Sequence, residues 1–400
     1  MKSQTKYKIA TLGSTNFIIV LVNTILFPVF PQMAQALDIS LKELSWLVVI
    51  VSFPAAVISP LGGILADRWS RKHIIAISLL IYGLGGLLAG VSVFLFAQPF
   101  YAMLLGRLLQ GIGSATPMFL TTALAGDIFQ SAERVKAVGL LETANGTGKL
   151  FSPILGAVVG LLGWYAPFFI FPLVAVPVAV GIWMTIKEPE QPPVKWAEQK
   201  KAFSLFKNRS RILSLMAGFV TLFVLIGTLF WMSDILSDKL QGGQIVRGII
   251  LSMPVLAMML TTLVAEFFSK HLGAKLTMAS GLILMAVSLT AIPFSFATFL
   301  FWPVTALVGV GTGLVLPQLD TISTSVTKRE YRGILTTVYG SGRSLGAALA
   351  PYIFAILMDG GKEITFYPIA AGVAVMGLSV LFLLHDEEVL PKDFMPEGAV

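Results

Sequence analysis

Cysteine is missing altogether from these 400 residues. Disulfides, thiol nucleophiles and cysteine-ligated metals are therefore excluded. Charge is scarce as well. Asp, Glu, Lys and Arg make up 12% of the chain, against about 25% in an ordinary soluble domain. With 56% of residues hydrophobic, a soluble fold of this length could not cover its surface with polar groups. Histidine is rarer still. His73, His271 and His385 stand apart in sequence, so no metal site is expected. The net charge of +7 does not indicate nucleic acid, because no basic stripe is interleaved with exposed aromatics. What remains is the composition of a polytopic membrane protein.

The apolar runs divide the chain into about twelve helices of roughly 20 residues or more, the length that crosses a ~30 Å hydrocarbon core. The expected spans are 9–33, 44–66, 73–96, 99–126, 137–162, 166–187, 212–234, 245–268, 275–296, 299–325, 334–358 and 365–384. Lys2, Lys6 and Lys8 before the first run suggest a signal peptide ending near Ala34–Ala36. The run is too long for a signal core and reads as the first span. Of the 28 Lys and Arg residues, 21 fall on one side of the membrane, 4 on the other and 3 inside spans. Basic loops face the cytoplasm, so both termini are expected there, in a cell-membrane protein.

The chain also repeats itself. A shift of 198 residues superposes Gly111 on Gly309, Gly113 on Gly311, Gly148 on Gly346 and Pro153 on Pro351. A shift of 203 places Ser70 on Gly273 and Lys72 on Lys275. The expected fold is therefore all-α, with two pseudo-symmetric six-helix bundles over 1–187 and 212–384 and a midplane site. Residues 188–211 form a cytoplasmic linker and 385–400 a cytoplasmic tail. Trp196, Phe203, Leu205 and Phe206 among the linker lysines suit a helix on the membrane surface or an ordinary solvated linker.

Three motifs carry a resemblance. The first is Gly63, Leu65, Ala66, Asp67, Arg68, Arg71 and Lys72 in the loop between the second and third spans, with Ser70 where glycine is usual. The second is Arg107, Gln110, Gly111 and Gly113 in the fourth span. The third is Gly148, Pro153 and Gly156 in the fifth, with Ser152 in place of a second glycine. The chain resembles a major facilitator superfamily transporter of the twelve-span drug:proton antiporter branch over essentially its whole length.

That resemblance implies a gate at Gly63, Asp67, Arg68, Arg71 and Lys72, whose charge contacts would hold one access state and break in the other. A loop that only sets topology is the bland alternative. In the second half Lys270 and His271 replace the Asp-Arg pair. Gly148, Pro153 and Gly156 are expected to pack helices closely and to bend one.

Arg107, Lys149 and Arg343 lie inside spans, where a cation costs about 2.5–3.5 kcal/mol and faces a watery cavity or a partner. Glu142, Asn145 and Lys149 share one helix face at spacings of three, four and seven. The same spacing also suits a salt bridge that only ties helices together. Asn16 and Asn23 occupy the first span, where many exporters of this branch have an acid. Proton coupling is therefore assigned to Glu142 first and Asp320 second, with Arg107. The cavity charges are cationic in excess, which favours an anionic or zwitterionic amphiphile. Substrate contacts are expected from Asn23, Phe27, Arg107, Gln110, Asn145, Lys149, Trp231, Tyr339 and Arg343, the aromatics supplying an adaptable wall with nearby methionines.

Enzyme-like patterns fail on inspection. Gly146–Lys149 lacks the first glycine and the Ser/Thr of a phosphate loop, and no strand precedes Gly309, Gly311 and Gly313. No enzyme activity, cofactor, metal or nucleic-acid partner is expected. The expectation is a monomer in the lipid bilayer that exports a small organic molecule against protons. A proton symporter importing a polar metabolite and a lipid flippase are the alternatives.

Overall fold

A computed structural model describes residues 3–66, 69–129, 131–188, 208–239, 243–296, 298–324 and 329–390. Among these, every regular element is helical. The first half contains α1 (Ser3–Leu21), α2 (Phe30–Leu37), α3 (Leu41–Ala66), α4 (Arg71–Leu95), α5 (Phe100–Ser114), α6 (Pro117–Ile128), α7 (Ser131–Val159) and α8 (Ile170–Thr185). The second contains α9 (Arg209–Lys239), α10 (Gly243–Ser295), α11 (Phe301–Thr324), α12 (Arg329–Met358), α13 (Lys362–Leu383) and the short α14 (Asp386–Val389).

Eight helices among the described residues are long and apolar enough to cross a membrane. One of them, α10, holds two expected spans in a single run and is interrupted only at Gly273, whose φ of 83° suits glycine. The three remaining spans are α1, the α5–α6 pair and α7, which carries Glu142 and Lys149.

Two expected spans prove to be broken. The first stops at Leu21, turns, and passes through a 3₁₀ turn at Phe27–Val29 into α2. Pro28 and Pro31 supply no backbone donor there, so the helical ladder cannot run through. The fourth breaks between Ser114 and Pro117, which opens α6 near its first position, where a missing N–H costs nothing.

The chain divides into two compact units, Met1–Val194 with Ser233–Ile250, and Lys195–Met232 with Leu251–Val400. In the first, α4 packs on α5 and α8, α3 on α5, and α1 on α7. Lipid gives little hydrophobic drive between helices, so close backbone approach at small residues must do the work. The same contacts recur in both units. A methyl group at Gly111 would strike the carbonyl of Val51, and one at Gly309 that of Pro254. Gly113 abuts Ser78 as Gly311 abuts Gly281, and Gly148 abuts Phe17 as Gly346 abuts Phe219. The repeat read in sequence is thus a repeat of helix packing.

Candidate functional site

The broken first span creates the polar centre of the first unit. Helix ends leave carbonyls without intrahelical partners, and several side chains use those at the end of α1. Arg107, fully buried on α5, donates from one terminal nitrogen to Val22 O at 3.0 Å and from the other to Gln110 Oε1 at 2.8 Å. Its Nε donates to Leu47 O at 2.8 Å. Ser152 Oγ donates to Leu21 O at 3.0 Å, and Tyr82 donates to Ile18 O at 2.8 Å. Each nitrogen of Arg107 is thereby committed inside the bundle, which is how a buried guanidinium avoids its desolvation cost. Gln110 keeps a buried Nε2 without a partner.

The stripe expected on α7 is partly joined. Asn145 donates from Nδ2 to Glu142 Oε2 at 3.3 Å and lies 3.6 Å from Met118 Sδ. Glu142 is exposed and Lys149 half-buried. Beside them, Thr121 on α6 donates to Asn16 Oδ1 at 2.5 Å. Asn23 sits half-buried in the turn after α1, and Phe27 is buried against Phe30 with ring centroids 5.3 Å apart. Gly148 and Gly156 meet carbonyls of the first span, at Phe17 and Ile25, and Pro153 lies between them within α7.

In the second unit Arg343 on α12 donates to Asp320 Oδ1 on α11 at 2.8 Å. The Asp320 side chain is 55% exposed and that of Arg343 17%. The 198-residue shift places this pair on Thr122 and Asn145, so both halves carry polar residues at these corresponding positions. Trp231 belongs to a packed aromatic cluster with Phe296, Phe301 and Phe366, the last edge-on at 4.7 Å. Tyr339 is buried and donates to Arg211 O at 3.2 Å.

At the start of α4, Arg71 pairs with Asp127 of α6. Glu188 caps the same helix, accepting from Ser70 Oγ at 2.5 Å, from Arg71 N at 3.0 Å and from Lys72 N at 3.2 Å. A carboxylate there meets both the free N–H groups and the positive end of the helix dipole. Asp67 and Arg68, two residues of the expected gate, lie outside the described residues, while Gly63 falls in the last turn of α3. Sequence reasoning missed Glu188. The signal was present, since the shift of 198 carries it onto another acid, Asp386.

The profile of the Major Facilitator Superfamily matches residues 12–245 and 234–399. The chain belongs to this superfamily. Over 387 residues it is 32% identical to the bacillibactin exporter of Bacillus subtilis, covering 94% of this chain and 96% of that one. It is 24% identical to the class E tetracycline resistance protein of Escherichia coli, over 86% of each chain. The quinolone resistance protein NorA of Staphylococcus aureus is 22% identical over 92% of this chain and 94% of its own. Among solved structures, a D-xylose–proton symporter superposes with a TM-score of 0.76 at 14% identity, covering 95% and 98% of the two chains. That likeness speaks to the fold alone. This superfamily member is a multi-pass membrane protein and an efflux transporter of a small organic compound.

Proposed function

We propose that the protein is a proton antiporter whose cargo is a zwitterionic or anionic amphiphile, with bacillibactin the first compound to try. The observation that carries this reading is the Asp320–Arg343 bond. Antiport requires the proton and the cargo to compete. A zwitterion meets that requirement, because its cationic end seeks Asp320 and its anionic end Arg343. Protonating Asp320 from outside removes the carboxylate and expels the cationic end. On the inside, loss of the proton restores the site. The bond moves Asp320 ahead of Glu142, which stays the second acid of the pathway beside Asn145 and Lys149.

In this reading Arg107 and Gln110 hold the first bundle around the pathway, and Arg71, with Asp67, Arg68 and Lys72, forms the inner gate. The transporter works as a monomer in the cell membrane, with both termini and the 188–211 linker in the cytoplasm. The positive-inside count supports that orientation.

Everted membrane vesicles with an imposed pH gradient test the coupling, using bacillibactin, tetracycline and a quinolone as probes. Uptake of at least one probe is expected to stop when a protonophore is added. Asp320→Asn is expected to keep substrate counterflow while losing the response to the gradient. Uptake that continues unchanged with the gradient collapsed would sink proton coupling.

A further inference from the structure

The start of α10 and the outer end of α7 meet within one unit, away from the charges described above. Gln32 donates from Nε2 to Gln244 Oε1 at 3.1 Å. In this arrangement the Gln244 amide turns its oxygen to Gln32. Its own Nε2 lies over Gly160, where a β-carbon would occupy its place. One turn further, Gly248 packs on Ala157 and on the carbonyl of Pro153. Gln244 is 6% exposed, yet its Nε2 has no hydrogen-bond partner, and neither has the buried Nε of Arg247.

A buried donor without an acceptor is costly to keep. Here two such donors sit three residues apart on one helix face. Both donate, neither accepts, and one belongs to a cation. They also stand in the first turns of α10, whose leading N–H groups add positive potential. The common complement is an oxyanion.

We propose that Gln244 and Arg247 form an exit-side subsite for the carboxylate, or an equivalent oxyanion, of the departing cargo. In this structure the subsite is closed, with Gln32 and Gly160 sealing the amide. When α7 and the start of α10 part, the two donors become reachable and the oxyanion satisfies both. The inference rests on the orientation and the zwitterionic cargo proposed above. It adds a second station on the route to the outer face. Binding there favours the parted arrangement, because only that arrangement accepts the ligand.

The absence of cysteine allows a direct test. Val29 is fully buried beside Gly160, and Val29→Cys places a smaller thiol there. Its labelling by a membrane-impermeant maleimide reports the parting. Benzoate is expected to speed labelling several-fold, and the neutral isostere benzamide to leave it unchanged. Gln244→Glu keeps the acceptor for Gln32 but turns the free donor into an acceptor, so the benzoate effect should vanish with the fold intact. Arg247→Gln should do the same, whereas Arg343→Gln should retain the effect. A thiol that never reacts, an equal response to benzamide, or an effect lost in Arg343→Gln but kept in Arg247→Gln would each overturn the subsite. Should Val29→Cys not fold, the benzoate-induced rise in melting temperature of the unmodified protein, absent in Gln244→Glu, takes its place. Vesicle transport is measured separately, so loss of the subsite and loss of the antiport reading are told apart.

Discussion

The two halves share one device at corresponding helix starts and differ in another. Glu188 caps the start of α4 in the first half. Asp386, 198 residues later, receives Lys275 N at 3.0 and 3.3 Å just after the break at Gly273. A short carboxylate on a helix N-terminus is therefore common to both repeats. The Arg71–Asp127 pair is not. The corresponding positions are Ala274 and Ser325, so both partners are gone from the second half. Shared features of a duplicated fold report architecture, and unshared ones report specialisation. By that measure the caps hold helices in place, and the ion pair is our candidate for a switch.

The largest effect should come from the unshared pair. Asp127→Asn is expected to lower transport about tenfold, the scale of an ordinary coupling between states, with membrane expression retained. The exchange Arg71→Asp with Asp127→Arg should recover part of the rate in the same vesicle assay. No loss on breaking the pair would leave the first-half end no more specialised than the second.

The caps should behave alike, and more modestly. Glu188→Ala and Asp386→Ala are each expected to cost about 1 kcal/mol of stability, as lost helix caps do. Thermal unfolding in detergent measures both, and a difference of several-fold between them would break the equivalence.

The smallest effect is a pH dependence at the second cap. Burial pushes the Asp386 carboxyl above the ordinary aspartate value of 3.8, although hydrogen bonds from the Lys275 and Ala274 backbones and the Lys275 charge oppose it. The folded state then holds this proton more tightly than the unfolded one. Stability is greatest at low pH and falls as pH climbs from 3.8 through the raised value. Asp386→Asn should flatten that part of the melting-temperature profile, and an unchanged profile would remove Asp386 from the account.

Much of this fold was legible in the sequence because membrane crossing imposes a length and a charge bias that few other environments demand. The repeat was legible for a packing reason. Gly111, Gly113 and Gly148 sit where another backbone leaves no room for a side chain, and their counterparts do too. The breaks at residues 22–26 and before Pro117 were harder to see. Prolines inside spans are common, and only the three-dimensional partners show which of them ends a helix. The candidate site residues were legible as types but not as pairs. Asp320 and Arg343 are 23 positions apart, and no periodicity relates residues on different helices. Trp231 and Tyr339 show the opposite difficulty. Their composition suits a cavity wall, whereas the structure sets them in a dense interior.

The commitments of Arg107 carry a mechanical consequence. By grasping the backbones at Val22 and Leu47, it welds the end of α1, the start of α3 and its own helix into one block. Parts fastened at their backbones cannot slide past one another without first giving up those bonds. Those three segments are therefore tied as one piece, and any bending within the first bundle must fall on the segments Arg107 does not hold.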